Sequence, residues 1–278
     1  MNKVEKMIAK LGDREFSIEN MIKAEYELNC ENKNNMSYWL DKVKDCGINI
    51  PKTVIIPIDF ELFKALNQDK YSEEFVAWFN NRILSLLENS GLNIDGELFV
   101  KTGVYSGKFN FEYCHVKENS KDKIGEHLLR VYYDGLNVGA NCAKELVVRE
   151  FIKNSKELPQ IYNGMPLNTE FRLFYDFTNR KVLGIFNYWD KETMIRAFSN
   201  CDWYAKDLET FKGYIDVLEE EFNSHKDQAI ELVDKAMKNV EGLDGVWSVD
   251  LMYIDGVYWL IDMAIGEESY YYSELESL

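Results

Sequence analysis

Proline, histidine and paired cysteine are all scarce in this sequence of 278 residues. It contains 4 prolines and 3 histidines, and its 5 cysteines are scattered without any CxxC pair: Cys30, Cys46, Cys114, Cys142 and Cys201. This odd, dispersed set disfavours a thiolate zinc site and a disulfide framework, and it is typical of reduced cytosolic thiols. The N-terminus also lacks an apolar run long enough for a signal peptide or a membrane span. We therefore expect a cytoplasmic protein.

Basic residues are outnumbered by acidic ones, 32 against 48, which gives a formal net charge of −16. A field of that sign repels the phosphate backbone of nucleic acids and the surface of anionic lipids. We therefore expect neither a nucleic-acid partner nor a membrane partner. A phosphorylated small molecule could still bind where lysines cluster beside glycine.

The hydrophobic pattern alternates between helical and strand periods and predicts an α+β protein with mixed sheets. Helices are predicted over the first forty-five residues, with Ser17 as an N-cap, then from Ser72 onward and over 207–240. Strands are predicted at 53–56, 98–101, 109–116, 146–148 and 170–177, the last with one face buried. A final hairpin over 247–263 is predicted to turn at Asp255-Gly256.

A glycine loop with two lysines follows the predicted strand at 98–101. In VKTGVYSGKF, Lys101 and Lys108 surround two glycines, which allow backbone N–H groups to approach a phosphate while the lysines supply charge. It is not a Walker A loop, because Lys108 is followed by Phe109 and a returning strand is predicted next. The alternative interpretation is a solvated hairpin turn with lysines at its rim.

Two aspartates lie on the arms of the final hairpin, Asp250 in WSVDLM and Asp262 in WLIDM. Buried carboxylates are costly unless they are paired or bind a metal, and hard oxygen ligands suit Mg²⁺. A two-residue turn would place the two aspartates on opposite faces, whereas a three-residue loop or an equivalent bulge would place them opposite one another. We expect the second arrangement. The alternative is that both side chains lie on a solvent-facing side of the sheet.

Four segments occur in an order that resembles the ATP-grasp superfamily. They are FVKTGVYSGKFNF, similar to a strand with a phosphate-binding lysine and a glycine loop, LVVREFI, similar to a hinge strand, NTEFRLFYDF, and the acidic hairpin WSVDLMYIDGVYWLIDMA. The resemblance is to cell-division-cycle-123-like proteins and related bacterial and phage ATP-grasp proteins. It implies two α+β subdomains that clamp ATP, residues 98–152 and 153–278, preceded by an N-terminal α/β part, residues 1–97.

The resemblance also implies roles for individual residues. Lys101 would contact the α-phosphate, and the loop residues Ser106, Gly107 and Lys108 would cover the β- and γ-phosphates. Adenine would lie beside a hinge made of Glu150, Phe151 and Ile152. Arg172 and Lys108 would be catalytic, and Asp250 and Asp262 would hold Mg²⁺. The alternatives are an ordinary salt bridge of Arg172 with Glu170 or Asp176, and an ordinary salt bridge for Arg149.

The function that the resemblance implies is an ATP-dependent ligase using ATP and Mg²⁺. A carboxylate substrate would be activated as an acyl phosphate and joined to an amine or a related nucleophile. One position departs from the family pattern, because Ala264 stands where a metal-binding Asn is usual, and water, Glu267 or Glu268 could complete the shell. This departure favours an alternative, a nucleotide-gated binding or assembly protein resembling the cell-division-cycle-123 group, with an unidentified protein partner.

Overall fold

The computed structural model describes residues 3–68, 70–140 and 144–277, which form nine α-helices and ten β-strands. The chain divides into two units, Met1–Ser37 with Lys52–Phe151 (unit 1) and Tyr38–Pro51 with Ile152–Leu278 (unit 2). The predicted subdomain boundary at 152/153 lies one residue from the point where the chain leaves unit 1. The predicted boundary at 97/98 falls inside unit 1, and the three-part division remains a prediction. Cys142 lies outside the described residues.

The first group of elements runs to the end of unit 1. In chain order they are α1 (Lys3–Leu11), α2 (Ile18–Cys30), α3 (Met36–Val43), β1 (Thr53–Pro57), α4 (Phe60–Leu66), α5 (Glu73–Leu87), β2 (Leu98–Thr102), α6 (Phe111–Cys114), β3 (His115–Val116), α7 (Ile124–Asn137) and β4 (Glu145–Glu150). Short 3₁₀ helices cover Lys108–Asn110 and Lys121–Lys123. The predicted N-cap Ser17 is confirmed, because its side chain accepts a hydrogen bond from Asn20 N. Ser72, where the next helix is predicted to begin, caps α5 in the same way by accepting from Phe75 N.

A four-stranded antiparallel sheet in the order β1-β4-β2-β3 forms the centre of unit 1, and α7 packs against β2. Leu98 and Val100 of β2 and Val148 of β4 are completely buried. The predicted strand at 109–116 is wrong. After the glycine loop the chain forms a 3₁₀ turn and α6, so that only His115–Val116 pairs with β2.

The remaining elements belong to unit 2. They are β5 (Gln160–Ile161), β6 (Met165–Pro166), β7 (Thr169–Asp176), β8 (Lys181–Asn187), α8 (Lys191–Ser199), α9 (Ala205–Met237), β9 (Val246–Ile254) and β10 (Val257–Ile265). Further 3₁₀ helices cover Asp202–Tyr204, Gly266–Glu268 and Tyr272–Ser277. The long helix and the final hairpin were both predicted from their periods and are confirmed.

A second antiparallel sheet, in the order β10-β9-β7-β8, carries the final hairpin at one edge. Helix α9 packs against β7, where the ring of Phe222 stacks on Phe171 with centroids 5.2 Å apart. Strand β7 is buried on both faces, not on one as predicted, because Phe174 on its second face packs against the rings of Phe186 and Tyr272. The ladders between the described strands are all antiparallel, so the predicted mixed sheets are wrong, while the α+β class is confirmed. Among the described residues, no helix is both long and apolar enough to cross a membrane.

Candidate functional site

Three charged side chains share one face of the unit 1 sheet. Lys101 lies opposite Val147, and two residues away on either side of Val147 are Glu145 and Arg149. Because side chains alternate along a strand, all three lie on the same face. The exposed fractions are 2% for Lys101, 1% for Glu145 and 4% for Arg149. The sheet therefore carries two buried cations and a buried carboxylate on one face. Because buried charges are costly, such a cluster is a candidate functional site.

The side chain and the backbone of Glu145 each accept a hydrogen bond from a backbone N–H group. Its Oε1 accepts a hydrogen bond of 2.9 Å from Ser37 N, and the Glu145 carbonyl accepts one of 3.2 Å from Gly103 N. A Cβ at Gly103 would lie 2.5 Å from Oε1 of Glu145. Glycine is therefore required at the first position of the loop, because any side chain there would displace the carboxylate.

Side-chain hydrogen bonds to α7 hold the glycine loop in place. Tyr105 donates from its hydroxyl to Asp134 Oδ2 at 2.5 Å, and Asn110 Nδ2 donates to Asp134 Oδ1 at 3.1 Å. Gly107 has a φ of 66°, the left-handed conformation that glycine tolerates best. Its neighbours Ser106 and Lys108 are both half-buried, with Lys108 at the start of the 3₁₀ turn. The loop is thus a defined turn held against α7.

The predicted hinge lies at the end of β4. Glu150 N donates to Lys52 O at 2.9 Å while its Oε1 accepts from Lys52 N at 2.7 Å. Phe151 N donates to Glu97 O at 3.1 Å, and Ile152 follows as the first residue of the second unit 2 segment. The Phe151 ring contacts the His115 ring, with centroids 4.5 Å apart, so a pair of aromatic rings lies at the predicted hinge.

The final hairpin brings Asp250 and Asp262 directly opposite one another. The turn itself contains only Asp255 and Gly256, both with positive φ, so the predicted loop of odd length is wrong. The register is corrected by a β-bulge at Ile261, between the pair Leu260–Leu251 and the pair Asp262–Asp250. The bulge alternative is therefore confirmed, and the two carboxylates share one face of the sheet.

Arg172 extends this row by one strand, because it lies opposite Asp250 on β7. Its Nε donates to Asp250 Oδ1 at 2.8 Å and its Nη2 to Asp250 Oδ2 at 2.6 Å, a bidentate pair. The two side chains are only 13% and 9% exposed. The anticipated salt bridge of Arg172 is thus present, but its partner is Asp250 rather than Glu170 or Asp176.

The charge state of Arg172 is set by its surroundings. Burial acts to lower the pKa of the guanidinium, but the carboxylates of Asp250, Asp262 and Glu170 raise the pKa above its usual range. The guanidinium also lies 5.0 Å from the centre of the Tyr188 ring. Arg172 is therefore a fixed cation within a group of three carboxylates.

Two hydroxyl groups lie next to the acid pair, opposite Ala264. Ser248, two residues before Asp250, faces Ala264 across the hairpin. Its Oγ lies 2.8 Å from Ser269 Oγ and 3.4 Å from the Ala264 carbonyl oxygen. Glu267 and Glu268 are exposed in the 3₁₀ turn that follows. Hydroxyl and carbonyl oxygen atoms therefore lie next to Ala264, whose own side chain cannot bind a metal.

The donor set of this row fits Mg²⁺ in type. Magnesium is usually held by one or two carboxylates, with water and phosphate oxygens completing its octahedron. Asp250 and Asp262 supply two such carboxylates on facing strands. Within the described part of the chain, no group of three or more His, Cys, Asp or Glu side chains is placed to hold a metal alone. Two carboxylates leave most of the six positions around Mg²⁺ open, so other oxygen atoms would have to complete the shell of a metal at this pair.

Two of the three charged residues on the Lys101 face of the unit 1 sheet are not predicted as site residues from the sequence. Glu145 was not recognised, and Arg149 was interpreted as an ordinary salt bridge. A sequence signal for these residues exists, because Glu145, Val147 and Arg149 are spaced two residues apart. Residues with this spacing in a strand lie on one face of the sheet, here the face that carries Lys101. What was missing was the pairing of β4 with β2.

The fold is similar to that of Cdc123 from Schizosaccharomyces pombe. The match has a TM-score of 0.51 at 17% identity and covers 91% of this chain and 92% of Cdc123. A C-terminally truncated form of the same protein gives a TM-score of 0.52, with the same identity and coverage. A RimK domain ATP-grasp protein from Sphaerobacter thermophilus matches with a TM-score of 0.33 at 10% identity, over 86% of this chain and 60% of that one. No family model and no curated protein matches the sequence. The α+β class and the resemblance to Cdc123 are confirmed at the level of the fold.

Proposed function

We propose that the protein binds Mg-ATP and uses it as an ATP-dependent ligase of the carboxylate–amine type. The observation that carries the proposal is the pair of facing carboxylates, Asp250 and Asp262, in a fold similar to that of Cdc123. Mg²⁺ that binds a phosphate group is usually held by one or two protein carboxylates, and this pair supplies two. The remaining roles follow from the resemblance and from the contacts described above.

Unit 1 supplies the groups proposed to bind the nucleotide. Lys101 would contact the α-phosphate, and the loop of Ser106, Gly107 and Lys108 would cover the β- and γ-phosphates. Backbone groups of Glu150, Phe151 and Ile152 would meet adenine. The buried cation Arg149, on the same face as Lys101, supports this assignment, because phosphates bind where cations cluster on an otherwise acidic protein.

Unit 2 supplies the groups proposed to hold the metal and to act on the transferred group. Asp250 and Asp262 would bind Mg²⁺, which when bound neutralises charge on the phosphate oxygens. Arg172 is proposed to bind the transferred phosphate, because its planar guanidinium pairs with two oxygens at once. Its contact with Asp250 is a bidentate pairing of this kind.

In the proposed reaction, a substrate carboxylate oxygen attacks the γ-phosphorus and ADP leaves. An amine then attacks the acyl carbon of the acyl phosphate, loses a proton and releases inorganic phosphate. The protein binds and orients the reactants and neutralises charge, and for phosphoryl transfer these are the main contributions to catalysis. Lys108 and Arg172 are the proposed catalytic residues, since both would contact the transferred group.

A second candidate function is a nucleotide-gated binding or assembly protein with a protein partner. It is favoured by Ala264, which provides no metal ligand where the family resemblance implies one. The two candidates differ in turnover. A ligase releases ADP and phosphate faster when its acceptor is added, whereas a binding protein shows no acceptor-dependent release. Coupled assays of ADP release across pools of carboxylates and amines would separate them.

Binding of Mg-ATP is expected to raise the melting temperature of the protein. A ligand present at about 100 times its Kd stabilises the folded state by roughly 2.7 kcal/mol, which thermal unfolding detects readily. The measurement compares ATP with magnesium, ATP with a chelator, and magnesium alone. If no nucleoside triphosphate shifted the transition, with or without magnesium, the proposed function would be wrong.

A further inference from the structure

The Asp250 carboxylate already has a cation on both of its oxygens. Arg172 reaches Oδ1 at 2.8 Å and Oδ2 at 2.6 Å, and both side chains are almost buried. The sheet fixes this arrangement, because Arg172 and Asp250 are directly opposite one another on β7 and β9. A metal ion that approached Asp250 would therefore meet a positive charge at close range, which is strongly unfavourable where solvent is excluded.

The acid pair supplies only two of the ligands that a divalent metal takes. Over residues 3–68, 70–140 and 144–277, no cluster of three or more His, Cys, Asp or Glu side chains could hold a metal. The remaining ligands of a divalent ion at Asp250 and Asp262 would therefore be other oxygen atoms, from hydroxyl groups, water or another molecule. A phosphate group provides such oxygens, and it also offers Arg172 a planar, bidentate anionic partner.

We infer that Arg172 is an internal cation that occupies Asp250 until a phosphate group draws the guanidinium away, so that this acid pair takes a divalent metal only together with a phosphorylated ligand. The inference rests on the proposed function and adds an order of binding to it. The free protein keeps Asp250 neutralised by its own arginine. The phosphate releases the carboxylate and contributes metal ligands in the same event.

The test is metal binding by the protein without nucleotide. Mn²⁺ replaces Mg²⁺ at carboxylate sites and its free concentration is measured directly by electron paramagnetic resonance. Wild type is expected to bind Mn²⁺ weakly when ATP is absent. Arg172→Gln removes the competing charge and is expected to bind Mn²⁺ about tenfold more tightly, or better. The additional change Asp250→Asn should abolish that gain.

Two further variants control the experiment. Arg180→Gln removes an arginine of the same unit, whose guanidinium donates to the Val240 carbonyl and is not a partner of the acid row, and it should leave Mn²⁺ binding unchanged. Arg172→Lys keeps the positive charge but loses the bidentate geometry, so its affinity for Mn²⁺ should lie between those of wild type and Arg172→Gln. If Arg172→Gln does not fold, the comparison of Arg172→Lys with wild type decides the question.

The outcomes separate the inference from the proposed function. Equal Mn²⁺ affinity in wild type, Arg172→Lys and Arg172→Gln, while wild type still binds Mg-ATP, would overturn the inference alone. Tight Mn²⁺ binding by nucleotide-free wild type would also overturn it. Failure of wild type to bind ATP under any metal condition would instead overturn the proposed function. Tighter Mn²⁺ binding that requires loss of Arg172 and presence of Asp250 supports the inference.

Discussion

Replacement of Lys101 by methionine is expected to weaken ATP binding by about 10- to 100-fold. A hydrogen bond to a charged group contributes roughly 1.5–3 kcal/mol, and each 1.4 kcal/mol corresponds to about a tenfold change in Kd. Lys101 lies on β2 with its side chain buried, so neither water nor a neighbouring loop residue can easily replace it. Isothermal titration with Mg-ATP measures the change, and circular dichroism checks that the variant is folded.

Lys108→Met is the matched control for this experiment. It removes the same charge from a half-buried position at the start of a 3₁₀ turn, where water can partly replace the ammonium group. Its effect on ATP affinity should be smaller than that of Lys101→Met. An equal or larger loss for Lys108→Met would mean that the glycine loop, and not the strand, is the main phosphate anchor.

Replacement of Asp250 by alanine is expected to destabilise the free protein by about 3–5 kcal/mol, because it leaves the Arg172 guanidinium buried without its bidentate partner. Replacing both members of a buried ion pair with apolar residues is far less costly than breaking the pair. The double variant Arg172→Met, Asp250→Leu should therefore recover most of the lost stability. Urea unfolding of Asp250→Ala gives the loss, and urea unfolding of Asp250→Leu, Arg172→Met and the double variant completes the cycle.

An exposed ion pair in the same unit provides the control. Lys191 lies 3.1 Å from Asp216, whose side chain is largely exposed, and Asp216→Ala should leave the urea midpoint close to that of wild type. If Asp250→Ala behaved like Asp216→Ala, the buried pair would have no structural importance. If the double variant were as unstable as the single one, the loss would come from packing rather than from an unpaired charge.

Features that depend on local sequence could be predicted well. The N-cap Ser17 is recognised because serine immediately before an amphipathic run accepts a hydrogen bond from the first turn. The turn at Asp255-Gly256 is recognised because both of its residues tolerate positive φ. Each of these signals is complete within a few residues, so no knowledge of the tertiary fold is needed.

The arrangement of the acid row depends on strand pairing and was only partly predictable. The sequence left open whether Asp250 and Asp262 face one another, because that depends on one extra residue, and the structure places that residue in the strand at Ile261. Arg172 belongs to a strand 78 residues before Asp250, and nothing local indicates that β7 pairs with β9. The sequence therefore indicates a metal at these acids but does not indicate the pairing of Asp250 with Arg172.

The segment after the glycine loop shows how packing can override a strand pattern. Its aromatic residues favour a strand by propensity, but Phe111 is buried in α6 beside Phe99 and Phe151, with ring centroids 6.1 and 6.0 Å away. Residue propensity for strands reflects packing surroundings as much as the backbone. Here a short helix places Phe111 in this aromatic cluster, which residues distant in sequence complete.

The measurement that tests the central claim most directly is a crystal structure with a non-hydrolysable ATP analogue and Mg²⁺. The account predicts a metal ion about 2.0–2.1 Å from carboxylate oxygens of both Asp250 and Asp262, with phosphate oxygens completing its coordination. It also predicts the Lys101 ammonium within hydrogen-bonding distance of a phosphate, and Arg172 shifted from Asp250 towards another phosphate. A nucleotide bound away from these residues, or a structure in which Arg172 remains bidentate on Asp250 with no metal at the pair, would contradict the account.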